Sequence, residues 1–170
     1  MRVQVIGVGS DRGDDAAGLQ VVARLALRGM PNDTRAIACP RPFPDLLDQL
    51  AHAPHVILVD AVRSGGRPGS LCWLSREALA RQSATSSHGL GVARVLDLAD
   101  ALSNAPSSIE ILGIEIGDAL CEGDAPTTAV AQSVERACAL VRQRMTQLLS
   151  ADEAGARTPG GVDARGAADA

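Results

Sequence analysis

Apolar positions along this chain fall into two regimes: short unbroken runs and longer stretches at helical spacing. Residues 2–8 bring Val3, Val5, Ile6 and Val8 close together, the pattern of a buried strand. A helix is expected from about 14 to 28. Its polar positions Gln20, Arg24 and Arg28 recur at i, i+4 and i+8, and nearly everything else is Ala, Leu, Val or Gly. One narrow wet stripe on an apolar helix implies packing against a sheet with neighbours on both sides. Gly29 and Pro31 end it. Arg35–Cys39 reads as a short second strand, and the alternate prolines of Cys39-Pro-Arg-Pro-Phe-Pro44 make an extended loop. A short helix is expected over Asp45–Ala51. His55–Ala61 is the clearest central strand, with Val56-Ile-Leu-Val59 running into Asp60.

Arg63–Pro68 reads as a turn and Gly69–Leu74 as a further strand. Ser75–Gln82 is a short helix and Ser83–Ser87 a polar loop. His88 opens a helix in which Val92, Val95, Leu96, Ala99 and Leu102 keep helical spacing. Ile109–Ile116 is a strong strand and Cys121–Ala125 a loop. Pro126 suits the first turn of a last helix, whose apolar face is Val130, Val134, Cys138, Val141, Met145 and Leu148. Beyond Ser150 periodicity stops. The expected organisation is one domain over 1–150 and a disordered tail over 151–170. Strands alternating with helices predict an α/β fold: a three-layer α/β/α sandwich around a mostly parallel, twisted sheet of about five strands. Ligands in such folds bind beyond the carboxyl ends of the strands.

Composition narrows the function classes. Hydrophobic residues are 46% of the chain, enough for a globular core, but there is one Phe, one Trp and no Tyr. The core is therefore aliphatic, and base-stacking platforms are missing. A net charge of −4 without blocks of like charge disfavours nucleic acid or an anionic membrane as partner. Cys39, Cys72, Cys121 and Cys138 form no C-x-x-C pair, which reads as reduced thiols in a cytoplasmic protein. Met-Arg-Val-Gln-Val begins a strand directly rather than a signal peptide. No apolar run reaches the ~18 residues that span a bilayer. No uncovered apolar face stands out, so a monomer is expected.

Candidate chemistry gathers at one edge of the expected sheet. Asp15 follows the first strand, Asp60 ends the central one, and His88 opens a helix. Two carboxylates and an imidazole make a divalent metal site with open positions, suited to zinc or nickel better than to calcium. Without a cation one of the two carboxylates would tend to hold a proton. Each residue also has a plainer role. Asp14 suits a helix N-cap, Asp60 a strand–turn junction, His88 a helix start. His52 and His55 are separated by Pro54, which breaks helical spacing, so they read as loop and strand-start residues.

A nucleotide-binding alternative rests on the turn Gly7-x-Gly9. Against it, Arg12 stands where the third glycine belongs, the second strand ends without an acidic residue, and Asp14 and Asp15 would face a pyrophosphate. Phosphate-loop, nucleophile-elbow and H-E-x-x-H motifs are missing from the sequence. No organic cofactor is expected.

Read in order, these motifs resemble a known family, the endopeptidases that mature nickel–iron hydrogenases. The carrying segments are Gly7-Val-Gly-Ser-Asp-Arg-Gly-Asp-Asp-Ala-Ala-Gly18, His55-Val-Ile-Leu-Val-Asp60-Ala, Pro68-Gly-Ser-Leu-Cys-Trp-Leu74 and Ser86-Ser-His88-Gly-Leu-Gly-Val-Ala-Arg-Val-Leu96. The likeness spans roughly 1–149. It implies that Asp15, Asp60 and His88 contact nickel carried by the substrate, and that they serve in metal-assisted cleavage. The implied substrate is a hydrogenase large-subunit precursor, which loses a C-terminal extension in one cut. Ser10 stands where the family has Asn, Asp15 where Glu is common, and 38–44 replaces a glycine- and threonine-rich loop. Two other classes fit the same crevice: a non-catalytic nickel-sensing chaperone of hydrogenase assembly, and an unrelated α/β hydrolase.

Overall fold

The computed structural model describes residues 1–41, 43–83, 87–117 and 125–156, the side chains of 82, 83, 87–90 and 156 apart. Five strands form one sheet: β1 (Val3–Val8), β2 (Thr34–Cys39), β3 (His55–Val62), β4 (Leu71–Leu74) and β5 (Ser108–Glu115), in the order β2-β1-β3-β5-β4. Pairing is parallel everywhere except between β4 and β5. The helices are α1 (Ala17–Leu27), α2 (Asp45–Leu50), α3 (Arg76–Ser83), α4 (Ser87–Ala101) and α5 (Thr128–Ala156).

Alternation along the strands builds two cores. Val3 and Val5 of β1 with Ile57 and Val59 of β3 meet α1 and α5, where Val130, Val134, Cys138, Val141, Met145 and Leu148 are buried as expected. Ile6, Val8, Val56 and Leu58 meet α2, α3 and α4 through Leu46, Leu50, Leu79, Val92, Val95, Leu96 and Ala99. The expected three-layer α/β/α architecture is therefore present. Leu102, assigned to the apolar face of α4, falls past the helix end and is exposed.

The lone antiparallel pairing follows from connection length. Only residues 63–70 join the end of β3 to the start of β4, too few for the crossover that a parallel strand needs. The chain must turn back, and β5 later fills the place between them. The polar stripe of α1 is not free either: Arg24 and Arg28 both pair with Glu135 of α5, at 2.6 and 2.7 Å. α5 continues to Ala156, beyond the end expected at Ser150. Residues 151–156 are thus helical rather than part of a disordered tail. Asp152 lies 2.9 Å from His55 Nε2 and Glu153 accepts from Arg2 at 3.2 Å. His55 Nδ1 is also 2.7 Å from Ser108 Oγ, which fixes it as a strand-start residue. The remainder of the expected tail, 157–170, lies outside the described residues. Among the described residues no helix is long and apolar enough to cross a membrane.

Candidate active site

The chain leaves β1 for β2 on one side and returns to β3 on the other, so the strand order reverses between β1 and β3. α1 covers one face and α2 the opposite one. This switch point opens a crevice beyond the carboxyl ends of β1 and β3. Asp15 and Asp60 stand on its two sides.

Glycine brings them together. Gly18, in the first turn of α1, lies so close to the sheet that a Cβ there would sit 2.3 Å from the carbonyl oxygens of both Val8 and Val59. Gly7 serves the same contact and not the turn, since it lies within β1. The turn glycine is Gly9, at φ +142°, where a Cβ would sit 2.0 Å from the Asp15 carbonyl. A short 3-10 turn, Gly13–Ala16, carries the acidic pair into α1.

The pair divides. Asp14 is buried, and its carboxylate accepts the Thr127 backbone N–H at 2.6 Å and the Thr127 hydroxyl at 3.1 Å. It therefore caps no helix of its own; it ties the acidic corner to the residues that lead into α5. Asp15 is half-buried and accepts the Ser10 backbone N–H at 2.7 Å. That contact occupies an amide which a phosphate in the Gly7-x-Gly9 turn would need, and it counts against the nucleotide alternative.

Asp60 is only 4% exposed, although three residues of paired strand still lie at or beyond it, from Asp60↔Gly113 to Val62↔Glu115. Burial first, and the negative charge of Asp15 second, push its carboxyl up to about 7, against a smaller opposing effect of the Ala61 N–H. By strand alternation it shares the sheet face of Val56 and Leu58, the face that α4 covers. The sequence places His88 at the start of α4, and the helix does begin at Ser87. The His88 side chain lies outside the described residues. Asp15 and Asp60 are thus brought to one crevice, and among the described residues no group of three potential metal ligands is complete.

Glu115 is a third buried carboxylate at this edge, 2% exposed, which the sequence reading missed. It accepts the Ser64 N–H at 2.9 and 3.1 Å, the Gly66 N–H at 3.2 Å and the Ser64 hydroxyl, so it holds the turn that follows β3. The signal was available: an acidic residue closes the apolar run of β5 as Asp60 nearly closes that of β3. The thiols offer no nucleophile among the described residues. Burial pushes Cys39 up to about 11, with Asp45 adding to the shift, and it also raises Cys72 and Cys138. At neutral pH roughly one Cys39 in ten thousand would be thiolate.

Fold and site together define a class: a doubly wound α/β protein with an acidic pair, Asp15 and Asp60, at its switch point. Residues 43–144 match the family profile described as hydrogenase maturation protease. The hydrogenase maturating endopeptidase HybD from E. coli aligns with a TM-score of 0.75 at 27% identity, over 86% of this chain and 93% of that one. An endopeptidase from Escherichia coli gives 0.72 at 28% identity, over 83% and 90%. A NiFe hydrogenase maturation protease HycI from Thermococcus kodakarensis gives 0.68 at 27%, over 84% and 90%. No curated protein matches the sequence. The chain belongs to the hydrogenase maturation protease family and is a peptidase. This assignment sets aside the non-catalytic chaperone.

Proposed function

We propose that this peptidase removes the C-terminal extension of a nickel-loaded hydrogenase large-subunit precursor, and that Asp15, Asp60 and His88 recognise the nickel which the substrate brings. The observation that carries this reading is the Asp15–Asp60 pair. Asp60 is buried and its carboxyl is raised to about 7, in part by Asp15. A divalent cation relieves both causes at once, because it restores charge balance to a group that water does not reach. An imidazole completes a nitrogen–oxygen donor set of the kind nickel accepts.

In this reading the nickel is cargo and also the docking point. Once the ion is bound, the scissile bond lies in the crevice beside it. A water molecule attacks the peptide carbonyl, the C–N bond breaks, and the proton lost by water ends on the departing amine. The ion's charge favours attack by polarising the carbonyl or by acidifying the water. Asp15 is held for this task by the Ser10 N–H, while Asp14 fixes the corner through Thr127. None of the described thiols takes part, since burial raises Cys39, Cys72 and Cys138 and Cys39 holds its proton at neutral pH.

The test mixes the protein with nickel-loaded and nickel-free precursor and weighs the products. Shortening of the loaded precursor alone, abolished by His88→Ala in a protein that still folds, is the expected result. Equal cleavage of both precursors would refute nickel recognition. Normal cleavage by the His88→Ala protein would refute the site.

A further inference from the structure

Every cation among the lysines and arginines of this chain is an arginine, and the arginines divide by place. Those on the helices and at the amino edge of the sheet are mostly engaged. Arg2 pairs with Asp33 and Glu153, Arg24 and Arg28 with Glu135, and Arg144 with Glu110. Arg136 and Arg142 donate to the carbonyls of Gly69 and Gly29. Four arginines follow the carboxyl ends of adjacent parallel strands: Arg41 after β2, Arg12 after β1, and Arg63 and Arg67 after β3. None of these four has an ion pair or a side-chain hydrogen bond among the described residues. Arg12, Arg41 and Arg67 are exposed and Arg63 half-buried.

The turn that bears two of them is held from beneath. Arg63-Ser-Gly-Gly-Arg67 is a sequence that ordinarily gives a floppy loop. Here the buried Glu115 carboxylate accepts from Ser64 and Gly66, and the Glu115 carbonyl accepts the Gly69 N–H at 2.8 Å. Burying a carboxylate is costly unless its oxygens are satisfied, and this one is satisfied by the turn alone. The fold thus fixes a guanidinium-bearing turn one strand away from Asp15 and next to Asp60.

We infer that Arg12, Arg41, Arg63 and Arg67 form a docking rim for carboxylates of the substrate polypeptide, an acidic segment that lies across the crevice mouth. This rests on the proposed function, because it names the chemistry of the same substrate. Guanidinium suits the task, since its planar fork pairs with carboxylates and stays charged at any working pH. The rim also resolves an electrostatic conflict: an acidic chain of net charge −4 with an acidic crevice would otherwise repel such a segment.

The experiment measures both binding and cleavage of the host cell's nickel-loaded large-subunit precursor at low and high salt. Arg63→Gln/Arg67→Gln is expected to raise Kd and KM about five- to tenfold at low salt with kcat within about twofold, the range two exposed pairs supply. The difference should shrink at high salt. Arg63→Lys/Arg67→Lys should recover most of the loss, and Arg35→Gln, on β2 away from this edge, should change nothing. A Gln double variant with Kd and salt dependence equal to wild type would overturn the rim, whatever the cleavage assay shows. If the wild-type protein binds but does not cleave, the proposed function fails while the binding comparison still decides the rim. Preferential binding of a duplex DNA control would overturn it as well.

Discussion

Replacing Asp60 by Asn in the metal-free protein should make it more stable, and only above mildly acidic pH. The Asp60 carboxyl titrates at about 7 in the fold against an ordinary value of 3.8. At 1.36 kcal/mol per pKa unit, that gap costs roughly 4 kcal/mol once the group is ionised in both folded and unfolded chains. The sign follows from proton binding. Below about pH 3.8 both states hold the proton and nothing is lost. Between about 4 and 7 the unfolded chain sheds it and the folded one keeps it, so stability falls as pH rises, and the full cost applies above 7. The amide of the Asp60→Asn variant has a similar shape, can still accept the Ala61 N–H and has no charge to bury. Urea unfolding with chelator present should therefore show the two proteins alike near pH 3.5. The variant should lead by about 2–4 kcal/mol near pH 8, the lower figure allowing for relaxation around the charge. Titrating groups that do not interact with Asp60 cancel in the comparison. A gap that stays flat within about 0.5 kcal/mol from pH 4 to 8 would refute the argument that this carboxylate is desolvated and crowded. Asp15→Asn, which removes the second cause, should recover part of the gain.

Gly18→Ala should cost more than about 3 kcal/mol in urea unfolding, because its methyl group would meet two strand carbonyls at 2.3 Å; a loss under 1 kcal/mol would mean α1 can lift off the sheet freely. Cys39 should resist iodoacetamide at neutral pH in the folded protein and react once urea unfolds it, as followed by mass; rapid labelling of the folded chain would contradict its burial and raised pKa. Asp152→Ala should lower stability by about 1 kcal/mol, since the pair it makes with His55 is partly shielded from water; no change in the unfolding midpoint would show that the last turns of α5 hold without it.

The fold was legible because its signals are local. Unbroken runs such as Val56–Val59 can hardly be anything but buried strands when turn residues bound them, and the apolar face of α5 repeats for many turns. What failed depended on distant partners. Asp14 looks like a helix cap because nothing nearby in sequence reveals Thr127, which accounts for both its oxygens. Residues 151–156 show no apolar period, and their helix persists because Arg2 and His55, from the other end of the chain, hold Asp152 and Glu153. The direction of β4 was readable in principle from the short connection before it. The candidate site was legible in part: Asp15 and Asp60 could be aimed at one crevice once the sheet was taken as parallel. Their unequal burial, which makes Asp60 the perturbed member, could not be read from residue type.

The contact at Gly18 has a consequence for where this enzyme can be tuned. With its first turn seated on the carbonyls of β1 and β3, α1 behaves as a stiff rod, about 16 Å long, pivoted beside the acidic corner. Its far half is clasped to α5 by Arg24 and Arg28 on Glu135. Exposed ion pairs of that kind contribute little, so the place of Asp15 opposite Asp60 is set by the close backbone seat of α1 on the strands rather than by the outer clasp. A change that retunes the spacing of the two carboxylates therefore has to act at this seat, not on the back of the molecule.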